Sequence, residues 1–330
     1  MNIAILGAGA WGTALAISLS GKHTVTLWTR NADQVTAMAA SRISQYLPGY
    51  ALPQTVRLEA GLPATLSSAE LIISMVPTAG LRPLLREVAA TGASIPYIWA
   101  CKGFESGTAK LPHEVVQEEL GSGVACGVLS GPSFAQEVAA GQPTALTLAS
   151  ADVNFACSTA AILHTPRLRI YSSDDVSGVE VGGAVKNVMA IASGICDGMG
   201  FGYNARAALI TRGLAEITRL GLALGGRTET FLGLTGAGDL ILTCTGDLSR
   251  NREVGLRLAR GQGLESILRE LGHVAEGVST AREVARLAAE HGVDMPITRA
   301  VCRVLYESVP AKTAVEELLN REPKAENYHA

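Results

Sequence analysis

The chain has 330 residues, of which only 17% are charged and 5% aromatic, and its formal net charge is −3. This length predicts roughly two domains of about 150 residues each, and the charge excludes a bulk electrostatic attraction to nucleic acid or an anionic membrane. The six cysteines form no C-x-x-C pair and the six histidines have no metal-ligand spacing, so we expect buried free thiols, no metal site and a soluble, cytoplasmic protein.

The first predicted elements are a short apolar strand, a glycine-rich loop and a helix of small residues. The strand covers residues 2–6, the helix covers residues 13–19, and Gly7, Gly9 and Gly12 are spaced as G-x-G-x-x-G. Gly7 would permit a tight turn, Gly9 would let the backbone approach a pyrophosphate, and Gly12 would let the helix pack against the strand. The stretch lacks the positive n-region of a secretory leader. Its context favours a dinucleotide site over a simple packing turn.

The rest of the first half alternates apolar runs with helical patterns. Further strands are predicted at residues 24–28, 70–76, 95–100, 124–129, 145–149 and 168–171. Helices are predicted between several of them, at residues 81–90, 111–120 and 134–140. Because strands that alternate with helices form βαβ units, this pattern predicts a mostly parallel sheet.

The end of the second predicted strand bears on the choice of cofactor. NAD-binding forms of such a sheet usually place Asp or Glu there to bind the ribose 2′-hydroxyl, whereas an arginine suits a 2′-phosphate. Arg30 stands at about this position, in the stretch LWTRN. We therefore expect NADPH to be used, with NADH use left open. The alternative is that Arg30 is only a solvated loop charge.

After residue 175 the strand signals nearly vanish and long helical patterns replace them. Helices are predicted at residues 176–196, 204–224, 250–260, 277–291 and 298–307. The pattern therefore predicts an α/β dinucleotide-binding Rossmann domain at residues 1–175. An all-α domain, which would hold the substrate and the catalytic residues, would follow at residues 176–330.

Two residues of the second half are candidates for the chemistry. Lys186 lies in a helical pattern with few other charges, close to Gly182 and Gly183. Such a lysine is usually a surface residue whose charged tip reaches water. Small neighbours would instead leave room for a substrate, and burial would lower the lysine pKa into a range useful for catalysis. Asp239 follows a second glycine turn, in the stretch LTGAGD.

The stretch LSRNRE predicts an anion site at the start of a helix. Ser249 is a suitable N-cap, and Arg250 and Arg252 then fall in the first helical turn. Cations there oppose the helix dipole, at a cost of about 0.3–1 kcal/mol each. A bound phosphate group would explain both arginines, and two tolerated surface arginines are the alternative.

Seven stretches spread over most of the chain are far more specific than the glycine loop. They read GAGAWGTALA, YLPG, CKGFE, LSGPSFAQEV, GGAVKNVMAIASGICDG, LTGAGDLILTCTGDLSRN and VAEGVST. With them the chain resembles the bacterial-type NAD(P)-dependent glycerol-3-phosphate dehydrogenase family. The resemblance implies a Rossmann domain followed by a helical domain similar to that of 6-phosphogluconate dehydrogenase, with the active site between them. Ala10 stands where relatives often have serine, a difference that a backbone contact would survive.

The resemblance also implies roles for individual residues. Lys186 would be the general acid/base, Lys102 would contact both cofactor and substrate, and Asp239 would orient the lysine and the substrate hydroxyls. The substrate would further contact Gly131, Ser133, Ser249, Arg250 and Asn251, the last three through its phosphate. The cofactor would further contact Trp11, Arg30, Ala135, Arg250, Val274 and Glu276.

The reaction implied by the resemblance is the reversible reduction of dihydroxyacetone phosphate to sn-glycerol 3-phosphate by NADPH or NADH, and its product would supply phospholipid synthesis. The nearest alternative is a related reductase acting on a hydroxy acid or ketopantoate, whose carboxylate fits the arginine pair less well. A second alternative is a regulator that binds NADPH without turnover, which would need neither Lys186 nor Asp239. The implied partners are small molecules, without nucleic acid or membrane, and a homodimer is one open arrangement.

Overall fold

The computed structural model describes residues 1–272 and 275–322, and its first half is built on a sheet. The strands are β1 Asn2–Leu6, β2 Thr24–Trp28, β3 Arg57–Glu59, β4 Leu71–Ser74, β5 Tyr97–Trp99, β6 Cys126–Ser130, β7 Thr144–Ala149 and β8 Leu168–Ser173. Their order in the sheet is β3-β2-β1-β4-β5-β6-β7-β8. Neighbours are parallel except for β6 and β7, which pair antiparallel. The predicted, mostly parallel sheet is therefore confirmed.

Both faces of the sheet are covered by helices. Ile3 and Ile5 of β1 pack into one apolar core, whereas Ala4 and Leu6 pack into another. A strand buried on both faces is apolar throughout instead of alternating, which explains the uncharged N-terminal run. The accompanying helices are α1 Ala10–Leu19, α2 Ala32–Ser41, α3 Leu62–Leu66, α4 Thr78–Ala90, α5 Pro112–Leu120, α6 Ala135–Ala139 and α7 Val153–Leu163.

The strand order reverses between β1 and β4, which are neighbours in the sheet but not in sequence. In open α/β sheets, ligands bind beyond the carboxyl ends of the strands at such a point. Because β1, β4, β5 and β6 are parallel, the loops that follow them leave from one edge. The topology thus places Gly7, Lys102 and Gly131 around a single crevice.

The second half of the chain is helical. Its helices are α8 Val176–Gly198, α9 Gly202–Ala223, α10 Thr228–Leu232, α11 Asp239–Thr245, α12 Arg250–Ala259, α13 Leu264–Leu271, α14 Glu276–Glu290, α15 Pro296–Tyr306 and α16 Ala311–Leu319, with a π-helical turn at Leu234–Gly238. Six of them pack against α8, namely α9, α10, α11, α12, α14 and α15. Every residue of α8 from Gly178 to Cys196 is buried. A Cβ on Gly255 of α12 would lie 2.1 Å from the carbonyl oxygen of Ile191, so this glycine lets α12 pack closely on α8.

By length and composition alone, α8 is also the one helix of the described chain that could cross a membrane. Its apolar window is wholly buried inside the protein. Two charged residues of α8, Glu180 and Lys186, are also buried and hydrogen-bonded to other side chains. This helix is therefore the central element of the helical half.

Several elements were not predicted from the sequence. These are β3, α2, α3, α7, α10, α11, α13, α16 and the π-helical turn. Strand β3 has the sequence RLE, in which only one of three residues is apolar. The expectation of six buried thiols was also wrong in part, because Cys157 is exposed and Cys126 and Cys302 are half-buried. All six cysteines are free.

The change from sheet to helices falls at a short connection. Strand β8 ends at Ser173 and α8 begins at Val176, with Asp175 as its N-cap. The Asp175 carboxylate accepts hydrogen bonds from Gly178 N at 2.8 Å and Arg227 N at 2.9 Å. Because this connection separates the two kinds of structure, we propose residue 175 as the domain boundary.

Candidate active site

The glycine loop after β1 has the geometry that a dinucleotide site needs. Gly7 has a φ of +123°, which side chains rarely allow, and a Cβ on Gly12 would lie 1.9 Å from the Gly7 carbonyl oxygen. Gly9 caps α1 without a side-chain hydrogen bond, and a Cβ there would meet no atom within 4 Å. Gly9 thus leaves both space and uncapped backbone N–H groups at the start of α1, as pyrophosphate binding requires.

Lys186 lies in the middle of α8 and is only 6% exposed. Its ammonium group donates hydrogen bonds to Asp239 Oδ1 and, at 2.8 Å, to Thr243 Oγ1. Burial lowers the pKa of Lys186 from 10.5 to about 8; Asp239 opposes this shift and Lys102 adds to it. The structure therefore excludes the surface-lysine alternative and confirms the predicted direction of the pKa shift.

One carboxylate joins two ammonium groups at this point. Asp239 Oδ2 accepts a hydrogen bond from Lys102 Nζ at 2.6 Å, while its Oδ1 accepts one from Lys186. Burial acts to raise the pKa of Asp239, but the two ammonium groups outweigh burial and hold that pKa below its ordinary value. Two positive charges face one negative charge, so an anionic ligand would improve the charge balance of the cluster.

The segment before Asp239 is a π-helical turn, Leu234–Gly238, and not the simple glycine turn that the sequence predicts. This turn runs directly into α11, whose first residue is Asp239. A Cβ on Gly182 would lie 2.7 Å from the Thr235 carbonyl oxygen, and a Cβ on Gly183 would lie 2.9 Å from Ser130 Oγ. The space beside these glycines is filled by the Thr235 backbone and the Ser130 side chain. The expectation that they leave room for a substrate was therefore wrong.

Thr243 also belongs to the cluster, although it was not predicted from the sequence. Its hydroxyl donates to the Asp239 carbonyl oxygen at 2.6 Å, and its oxygen accepts from Lys186. A usable signal was present, because Thr243 follows Asp239 by four positions and therefore lies on the same face of α11.

The loop after β6 brings several predicted residues to the same place. Gly131 has a φ of +135°, and its carbonyl oxygen accepts hydrogen bonds from Lys102 Nζ at 3.0 Å and Ser133 Oγ at 3.1 Å. Trp11, in the first turn of α1, donates through Nε1 to the Ser133 carbonyl oxygen at 3.0 Å. Ala135 begins α6 and is buried. The loop therefore connects the glycine loop with the lysine cluster.

The start of α12 matches its prediction in part. Ser249 is the N-cap and accepts a hydrogen bond from Arg252 N at 3.3 Å. The Arg252 guanidinium pairs with Asp197 at 2.8 Å and Asp247 at 3.0 Å. Its position is thus explained by protein carboxylates, and the prediction that a bound anion accounts for Arg252 was wrong. Arg250 is exposed and has no hydrogen bond or ion pair within residues 1–272 and 275–322.

Asn251 and Glu276 lie at contacts between elements. Asn251 Oδ1 accepts a hydrogen bond from Gly277 N at 3.0 Å, and its Nδ2 donates to Asn187 Oδ1 at 2.9 Å. Nδ2 thus uses one of its two hydrogens among the described residues. Glu276 Oε1 accepts from Thr78 N at 3.4 Å, and burial raises the pKa of the Glu276 carboxyl. Glu276 thus joins α14 to the start of α4, beside the point where the strand order reverses.

The remaining predicted residues are less connected. Arg30 follows β2, is exposed, and forms no hydrogen bond or ion pair with any other residue that the structure describes. Val274 lies outside the described residues. In the described part of the chain, no three His, Cys, Asp or Glu side chains are grouped so that they could hold a metal ion.

Comparisons with known proteins agree with this geometry. Family models of NAD-dependent glycerol-3-phosphate dehydrogenase match residues 2–156 for the N-terminus and 175–316 for the C-terminus. Two proteins named glycerol-3-phosphate dehydrogenase (NAD(P)+) align over 99% of this chain and 100% of their own: that of Nitrosospira multiformis is 64% identical and that of Thiobacillus denitrificans 63%.

The fold is shared with a crystal structure of glycerol-3-phosphate dehydrogenase from Coxiella burnetii. The two chains superpose with a TM-score of 0.93 and 44% sequence identity, over 97% of this chain and 99% of the other. The helical half and the sheet both match in this alignment. The chain therefore belongs to the NAD-dependent glycerol-3-phosphate dehydrogenase family.

Proposed function

We infer that this protein interconverts dihydroxyacetone phosphate and sn-glycerol 3-phosphate, with NADPH or NADH as the hydride carrier. One observation ties this activity to the site: Lys186 is buried against the carboxylate that also binds Lys102, at the crevice beside the glycine loop. A buried amine with a pKa of about 8 suits proton transfer at physiological pH. Family membership argues against both a hydroxy-acid reductase and a regulator without turnover.

We propose Lys186 as the general acid/base of the reaction. In the reducing direction its ammonium group donates a proton to the oxygen on C2 of the substrate, where an alkoxide develops. In the oxidising direction the neutral amine accepts that proton. Because Asp239 and Thr243 accept two of the three ammonium hydrogens, the third is available to the substrate. The bound nicotinamide supplies or accepts the hydride.

We assign the remaining site residues to the two ligands. The substrate is held by Lys102, Gly131, Ser133, Ser249, Arg250 and Asn251. The cofactor is held by Gly7, Gly9, Trp11, Gly12, Arg30, Lys102, Ala135, Arg250, Val274 and Glu276. Lys102 supports this assignment because its ammonium lies between the carbonyl of the β6 loop and the carboxylate of Asp239. Arg250 supports it as a cation at a helix N-terminus that forms no ion pair within the described residues.

The product would enter glycerophospholipid synthesis, and we propose the cytoplasm as the site of the reaction. All six thiols are free, which suits a reducing compartment. The direct test is the absorbance of reduced nicotinamide, followed with dihydroxyacetone phosphate, with ketopantoate or other hydroxy-acid precursors, and without substrate. We expect oxidation only with dihydroxyacetone phosphate. Oxidation with a 2-keto acid alone would contradict the proposal.

The pKa of Lys186 predicts opposite pH profiles for the two directions. Reduction needs the ammonium form, so its kcat/KM should fall as the pH rises through about 8. Oxidation needs the neutral amine, so its kcat/KM should rise through the same range. Initial rates measured in both directions from neutral to alkaline pH give the two profiles. Profiles that change in the same direction would exclude Lys186 as the group that moves the proton.

Replacement of Arg30 with alanine tests the choice of cofactor. A charge-assisted hydrogen bond contributes about 1.5–3 kcal/mol, so KM for NADPH should rise at least tenfold while KM for NADH changes little. Arg57→Ala, which removes another exposed arginine, from the first position of the neighbouring strand β3, is the control. Equal changes in both KM values would show that Arg30 does not bind the 2′-phosphate.

A further inference from the structure

A continuous series of hydrogen bonds begins at the cofactor side of the crevice, at Trp11. This residue follows Gly9 by two positions in the first turn of α1. Its indole Nε1 donates to the Ser133 carbonyl oxygen at 3.0 Å and to Ser133 Oγ at 3.2 Å. Ser133 Oγ in turn donates to the Gly131 carbonyl oxygen at 3.1 Å. The indole therefore sets the position of the loop after β6 through both the backbone and a side chain.

The same series continues to the lysine cluster. The Gly131 carbonyl oxygen also accepts a hydrogen bond from Lys102 Nζ at 3.0 Å. Lys102 Nζ donates at 2.6 Å to Asp239, whose other oxygen accepts from Lys186. Lys102 thus has two acceptors, and one of them is held in place by the tryptophan. A shift of the β6 loop would move the acceptor that orients Lys102.

The surroundings of Trp11 fit this interpretation. Trp11 packs against the cluster formed by Ala14 of α1, Leu47, and Ala135 and Val138 of α6. Its ring therefore lies between the helix that follows the glycine loop and the short helix that follows the β6 loop. The indole N–H is its single donor, and that donor is used on Ser133.

We propose that Trp11 is a positioning residue for the substrate site, acting through Ser133 and Gly131 on Lys102. This proposal rests on the proposed function, because it concerns the substrate that Lys102 binds. A residue that only packs against the cofactor would affect cofactor affinity. A residue that positions Lys102 affects the substrate even when the cofactor is saturating. The two roles are therefore separable by kinetics.

The test is Trp11→Phe, which keeps an aromatic ring and removes the donor. At saturating NADPH, KM for dihydroxyacetone phosphate should rise about three- to tenfold, the range expected for one hydrogen bond, while kcat falls less than threefold. Trp28→Phe is the matched control: it removes another indole hydrogen bond, to the Ala60 carbonyl oxygen at 2.9 Å, on the β2–β3 side of the sheet. Its KM should stay within twofold of that of the wild type.

A double-mutant comparison guards against a general disturbance of packing. Ser133→Ala removes the link from the Ser133 hydroxyl to Gly131, so Trp11→Phe should raise KM by a smaller factor in that background than in the wild type. A rise in KM of less than threefold in Trp11→Phe, an equal rise in Trp28→Phe, or full additivity with Ser133→Ala would overturn the proposal. Inactivity of the wild-type protein toward dihydroxyacetone phosphate would instead refute the proposed function.

Discussion

Replacing Lys186 with methionine should lower kcat about 100- to 10,000-fold, the range expected for loss of a general acid. Methionine keeps much of the volume of the buried side chain but cannot exchange a proton. Asp239 would keep its hydrogen bond to Lys102 Nζ, at 2.6 Å, so the carboxylate would remain paired. We therefore expect NADPH affinity, measured by the fluorescence of the bound cofactor, to stay near that of the wild type.

Lys312→Met is the control for this substitution, because Lys312 is exposed on α16 and far along the chain from the cluster. Its kcat should not change. In Lys186→Met the primary deuterium isotope effect from deuterated NADPH should also increase, since the chemical step becomes slower relative to product release. A Lys186→Met variant with kcat within tenfold of the wild type would show that another group donates the proton.

Replacing Arg250 with alanine should lower kcat/KM for dihydroxyacetone phosphate at least thirtyfold. Loss of one partner from a desolvated charge pair costs about 2–5 kcal/mol, and in our proposal Arg250 binds the substrate phosphate at the start of α12. Unphosphorylated dihydroxyacetone, which lacks that charge, should be affected much less. The unliganded protein should melt at the same temperature or slightly higher, because a cation that opposes the helix dipole is gone.

Arg252, within α12, and Arg260, the C-cap that follows it, provide controls for this prediction. Arg260 is exposed, and Arg260→Ala should leave the kinetics unchanged. Arg252→Ala should instead lower the melting temperature, because Asp197 is nearly buried and would lose one of its arginine partners. If Arg250→Ala reduced kcat/KM equally for both substrates, the arginine would act on the cofactor or the fold and the phosphate site would lie elsewhere.

The elements that could be predicted are those whose own sequence determines their secondary structure. Strands β1 and β2 have the predicted bounds because each is a compact run of residues suited to strands, followed by a glycine or a polar residue. Strand β3 was missed because its position depends on pairing with β2 and not on its own RLE sequence. The π-helical turn was read as a glycine turn because backbone hydrogen bonding, and not composition, distinguishes the two.

The same holds for the candidate site: contacts between residues close in sequence were predictable, whereas contacts between residues far apart in sequence were not. The N-cap at Ser249 was predictable because its partner, Arg252 N, is three residues away. Arg252 was misassigned because Asp197, its ionic partner, lies 55 residues away in sequence. The pairing of Lys102 with Asp239 spans 137 residues and exists only because the β5 loop and α11 meet at the crevice. The family resemblance implied roles for Lys102 and Asp239, but only the folded structure gives the distance between them.

The proposed reaction is tested most directly by measuring hydride transfer from NADPH to C2 of the substrate. The wild-type protein is incubated with dihydroxyacetone phosphate and NADPH that carries deuterium at both C4 positions, and the product is analysed by NMR and mass spectrometry. We expect sn-glycerol 3-phosphate with one deuterium on C2 for each NADPH oxidised. Absence of deuterium from C2, or NADPH oxidation that does not depend on dihydroxyacetone phosphate, would contradict the proposed reaction.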